Sequence, residues 1–115
     1  MMVLIADASS VIRSRITKLI SGLNTVEAVL QASTLENVIR LQDQFHPNVY
    51  IIAHDLPGGN IIETVTRIQQ ASGDAKLIVL SDIDHPKFAE KCLSAGATHI
   101  FDKSSEFDRI LDVLK

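Results

Sequence analysis

The sequence predicts an α/β fold: one parallel β-sheet covered on both faces by helices. Three observations carry this reading. Apolar runs too short for helices alternate along the chain with segments of helical period. Three of those runs, 3–6, 49–53 and 77–80, are continuous and rich in Val and Ile, as strands buried on both faces should be. Each strand run is followed by a helical segment, and strict βα alternation implies parallel strands joined by right-handed crossovers.

Taken in order, residues 3–6 form the first strand, and Ile12, Ile16, Leu19 and Ile20 then make the apolar stripe of a first helix. Gly22 is read as its stop. Residues 26–30 are a more mixed run, suited to a strand near the sheet edge, and Leu35, Val38, Ile39 and Phe45 form the second stripe. Residues 49–53 follow as a central strand, with a third stripe in Ile61, Ile62, Val65 and Ile68. After the strand at 77–80, residues 86–95 form a shorter, weaker helix that Gly96 ends. Residues 98–101 are the second mixed run. Phe107, Ile110, Leu111 and Leu114 make the last stripe, with Ser105 and Asp108 read as its N-terminal capping box. Five βα units in residues 1–115 make one domain and suggest the flavodoxin-like strand order 2-1-3-4-5, with five helices on two faces.

Composition removes several classes of function. The net charge of −3 has no basic run to neutralise phosphates, and 4% aromatics without Trp supply no base-stacking platform, so nucleic acid is not expected as a partner. Cys92 is the only cysteine, which excludes an internal disulfide and fits the cytoplasm. No apolar run approaches the roughly 18 residues of a membrane span, and the apolar start lacks the basic flank of a signal peptide. His46, His54, His85 and His99 lack the spacing of a metal site, and no G-x-S-x-G elbow supports a triad of Ser81, Asp82 and His54. Arg13, Arg15 and Lys18 read as a solvated face, His54 as a solvated turn residue, and Cys92 as a packed thiol.

In such sheets ligands bind beyond the carboxyl ends of the strands, near the switch point between strands 1 and 3. Strand 1 delivers Asp7, Ala8 and Ser9 there, and strand 3 delivers Ala53, His54 and Asp55. Strand 4 adds Ser81 and Asp82, and strand 5 adds Asp102 and Lys103. A carboxylate, a hydroxyl and an ammonium at one edge are the groups that hold a phosphoryl group with Mg²⁺.

The same residues carry a resemblance. "V-L-I-A-D-A-S-S-V-I-R" resembles the opening of a response-regulator receiver domain, and "H-P-N-V-Y-I-I-A-H-D-L-P-G-G-N" its third strand and following loop. "K-L-I-V-L-S-D" resembles its fourth strand, and "A-G-A-T-H-I-F-D-K-S-S-E-F-D-R-I" its fifth strand, lysine and last helix. The resemblance covers essentially the whole chain in the right order. It implies that Asp7 is the first of two metal-binding aspartates, and that Ala8 stands where the second belongs. It places Ala53 at the phosphoacceptor, Ser81 at the phosphoryl-contacting hydroxyl and Lys103 at the lysine. Ile100 replaces an aromatic switch residue, and Ser104 a Pro usually preceded by a cis bond.

A methyl group has no nucleophilic oxygen, so Ala53 cannot take a phosphoryl group. Without carboxylates at 8 and 53, Asp7 and Asp55 form at most a weak Mg²⁺ site, and Lys103 is free to pair with either. The expectation is a phosphorylation-independent receiver, not an enzyme, needing no cofactor and keeping a vestigial pocket of Asp7, Ala8, Ala53, Ser81 and Lys103. Its partners would be signalling proteins: a histidine kinase, a phosphotransfer protein, an output protein, or a second copy through the fourth helix, fifth strand and fifth helix. Two alternatives stay open: a Mg²⁺-dependent phosphoacceptor using Asp55 or Asp7, and a small-ligand sensor using the altered pocket.

Overall fold

The computed structural model describes residues 1–115. Its strands are β1 (Met2–Ala6), β2 (Ala28–Ala32), β3 (Val49–Ala53), β4 (Lys76–Ser81) and β5 (His99–Asp102). They alternate with α1 (Ser10–Ile20), α2 (Leu35–Phe45), α3 (Ile61–Ala71), α4 (Pro86–Ala95) and α5 (Ile110–Leu114). All strand pairs are parallel and the order is β2-β1-β3-β4-β5, the flavodoxin-like arrangement.

Side chains alternate across the sheet and build two cores. Leu4, Ala6, Tyr50, Ile52, Leu77 and Val79 face the α2, α3 and α4 layer, where they meet Val38, Val65, Ile68 and Cys92. Val3, Ile5, Ile51, Ile78 and Leu80 face the other way, onto Ile16 and Ile20 of α1 and Ile110 and Leu114 of α5. Central strand β3 is buried along its whole length, which explains its unbroken apolar run. Cys92 is a fully buried packing group, and burial pushes its thiol pKa up.

Four expectations need correction. The second strand lies two residues further on than the run at 26–30, because the parallel register sets Ala28 against Met2 and Ala32 against Ala6. Gly22 is not in a left-handed conformation; α1 closes on Ser21 in a right-handed one, whereas α2 ends on left-handed His46 with φ 51°. Phe45, assigned to the second stripe, is 41% exposed, since the helix ends there and points it outward. The capping box of the last helix does not form. A 3-10 turn at Phe107–Arg109 precedes α5 without a side-chain cap, and Asp102 accepts the Ser104 and Ser105 amides instead.

Candidate functional site

The site forms at the carboxyl edge of the sheet, on the ends of β1, β3, β4 and β5. The β1 end is rigidly built. Asp7 Oδ1 accepts the Ser9 amide at 2.9 Å, and Ser9 Oγ accepts the Ile12 amide as the N-cap of α1. Arg13 reaches back from α1, donating from Nη1 to the Asp7 carbonyl at 2.6 Å and from Nε to Gln31 Oε1. Arg13 is therefore more than a solvated charge: it clamps the backbone that carries Asp7. Arg15 lies over the Phe107 ring at 5.0 Å, another contact that the reading of a solvated face omits.

Asp7 Oδ2 is fully buried and accepts no hydrogen bond. Its compensation is the Lys103 ammonium 3.2 Å away, which also lies 3.8 Å from Asp55 Oδ1. Lys103 is held there by β5, its own amide donating to the Ser81 carbonyl at 2.9 Å. One ammonium thus bridges a buried carboxylate and an exposed one. Ala53 ends β3 fully buried, and exposed Ala8 follows Asp7. Ser81 Oγ accepts the Ile83 amide at 2.9 Å. The peptide before Ser104 is trans.

Mg²⁺ asks for six oxygen ligands at about 2 Å in near-octahedral geometry. The chain gathers no group of three or more His, Cys, Asp or Glu side chains able to hold a metal ion, and Asp7 and Asp55 already share an ammonium. Asp7 and Asp55 are the two carboxylates that face the Lys103 ammonium.

His54 differs from the solvated turn residue expected. Its side chain is only 17% exposed, its ring packs edge-on against Phe88 of α4, and Nε2 lies 3.4 Å from Asp82 Oδ1. A residue after a buried strand end naturally points into the helix layer, and neighbouring Phe88 could have been read as its partner only with the register of α4 in hand.

Residues 3–115 match the family of the response regulator receiver domain. The chain belongs to this family. The receiver domain is 26% identical over 112 residues to the nitrate/nitrite response regulator NarL of Escherichia coli K12, covering 97% of this chain and 52% of that protein. It is 21% identical over 113 residues to the response regulator GacA of Pseudomonas aeruginosa, covering 98% and 53%. The chain thus spans about half the length of these relatives. Among solved structures, the isolated REC domain of RcsB from Salmonella enterica serovar Typhimurium superposes with a TM-score of 0.88 at 22% identity, covering 99% of this chain and 87% of that one. A LuxR-family response regulator from an Aurantimonas species gives 0.87 at 24% identity, covering 96% and 79%. At these identities the solved structures establish the receiver fold. RcsB is also described bound to the promoter rprA, in a chain of which the match covers 65%.

Proposed function

We propose that this receiver domain acts in two-component signalling without being phosphorylated, as a protein-interaction module held in one state. A single observation supports the reading most: β3 ends on the methyl of Ala53, and Lys103 is committed to Asp7 and Asp55. A receiver that transfers a phosphoryl group needs an oxygen nucleophile at the strand end and a cation to neutralise the developing charge. Here the nucleophile is missing, and the lysine supplies internal charge balance instead. No cofactor is needed for that role.

The surface on offer is the face of α4, β5 and α5, where Leu93 is 49% exposed. Histidine kinases, phosphotransfer proteins, output proteins and a second copy of the domain are the partner classes that such a face would serve. Nucleic acid is not among them for residues 1–115, whose charge is −3.

Intact-mass measurement after incubation with acetyl phosphate and Mg²⁺ tests the reading. The expected spectrum shows the unmodified chain alone. A phosphoryl adduct overturns the proposal, and its loss in an Asp55→Ala or Asp7→Ala variant would name the surrogate acceptor.

A further inference from the structure

We infer that the start of α4 is a proton-sensitive joint, closed by neutral His85 and loosened when that imidazole takes up a proton. The inference concerns α4 itself and stands whether or not the domain is ever phosphorylated. α4 opens with Pro86 at its first position, and the residue before it, His85, is its N-cap. The cap is a ring nitrogen: His85 Nδ1 accepts the Lys87 amide at 3.2 Å. Only an unprotonated nitrogen can accept, and in the imidazolium both ring nitrogens are donors. The other helices with a side-chain cap use oxygens that do not change character near neutral pH, namely Ser9, Thr34 and Asn60. Histidine is the side chain whose charge ordinarily changes between about pH 5 and 8. A positive ring at a helix N-terminus also opposes the helix dipole. Both effects act in the same direction, against the first turn of α4.

That turn has little else to hold it. Residues 82–87 are all exposed, and Cys92 is the only fully buried side chain of the helix. Behind the turn lies a cavity of about 230 Å³ reaching to Ile100 and Phe101 of β5. The charged groups around His85 are Asp84 in the same loop, Lys87 in α4, and Asp102 and Glu106 across the cavity. Asp102 accepts the Ser104 and Ser105 amides, and Glu106 accepts the Asp102 amide and pairs with Arg109. His54 is the other imidazole near α4. Its Nε2 faces Asp82, and it makes no contact with the Lys87 amide.

Amide hydrogen exchange on the intact chain, expressed as protection relative to the unstructured rate, reads the joint directly. Between about pH 7.5 and about pH 5.5, protection at Lys87, Phe88 and Ala89 should fall roughly fivefold, with α3 unchanged. His85→Asn keeps an oxygen acceptor that does not titrate, and in that variant the fall should vanish. His54→Gln should leave the fall in place. Protection in the parent that does not change with pH overturns the inference, as does an equal fall in His85→Asn. A fall spread evenly over α3 and α4 also overturns it, because that is global unfolding.

Discussion

At the scale of single residues, the pairing of Asp7 with Lys103 explains how a receiver fold keeps a carboxylate buried at the end of β1. An ionised carboxylate oxygen without a hydrogen bond is expensive to bury, and the ammonium 3.2 Å away offsets that cost. Breaking the pair from one side leaves the charge stranded. Lys103→Met should therefore lower the unfolding free energy by about 2 kcal/mol, measured by urea denaturation, with partial solvent access of the lysine keeping the loss below that of a deeply buried pair. Adding Asp7→Asn to that variant removes the stranded charge and should restore most of the loss, an interaction that a double-mutant cycle reads directly. Equal, additive losses would show that the two residues act separately. Asp102 gives a second test. The Ser105 and Ser104 amides, together with the Ser105 hydroxyl, outweigh partial burial and hold its carboxyl below the usual carboxylate range. A depressed carboxylate contributes stability above its unfolded pKa and loses it as pH falls through the folded value. On acidification from about pH 5 to about pH 3, the parent should thus lose more melting temperature than Asp102→Ala. Parallel curves would remove Asp102 from the account.

Helix and strand ends show where local sequence speaks clearly and where it does not. Gly96 reads as a stop and behaves as one: its φ is 127°, and an added Cβ would lie 2.7 Å from Gln69 Cγ on α3. Gly96→Ala should accordingly cost about 1–2 kcal/mol, from strained backbone and a displaced Gln69, visible as a lower urea midpoint with unchanged slope. A neutral substitution would mean that this end of α4 relaxes freely. Gly22 carries the same letter but no such geometry, whereas the left-handed cap of α2 is His46, marked locally only by the Pro47 that follows it. The runs at 49–53 and 77–80 were legible because both faces of β3 and β4 are buried, so every position reports burial. The run at 26–30 misplaced β2 because an edge strand half-exposed to solvent takes its limits from its partner β1. The same contrast holds at the site. The strand ends that assemble it follow from strand order alone, so Asp7, Ala53, Ser81 and Lys103 could be brought together from sequence. The contacts of Arg13 with the Asp7 carbonyl and of His54 with Phe88 could not, since each needs the orientation of a helix against the sheet.

For the molecule as a whole, the two alanines change how charge is distributed at the open edge of the sheet. A carboxylate at each of positions 8 and 53 would join Asp7 and Asp55 around one lysine, leaving the cluster strongly negative unless a divalent cation enters. Charges about 5 Å apart repel by roughly 3 kcal/mol at an effective dielectric of 20, before relaxation and screening reduce it. With alanines, only two carboxylates face Lys103, a far smaller excess of negative charge. Introducing Ala8→Asp together with Ala53→Asp should therefore make stability depend on metal. In EDTA the melting temperature should fall by about 5 °C or more, and millimolar Mg²⁺ should recover it, while the parent responds to neither. If the double variant melts as the parent does in EDTA, carboxylate crowding is not what the alanines relieve. If Mg²⁺ fails to recover a destabilised variant, the Lys103 bridge is too tight for the cation to displace, and the remodelling of this pocket extends beyond two side chains.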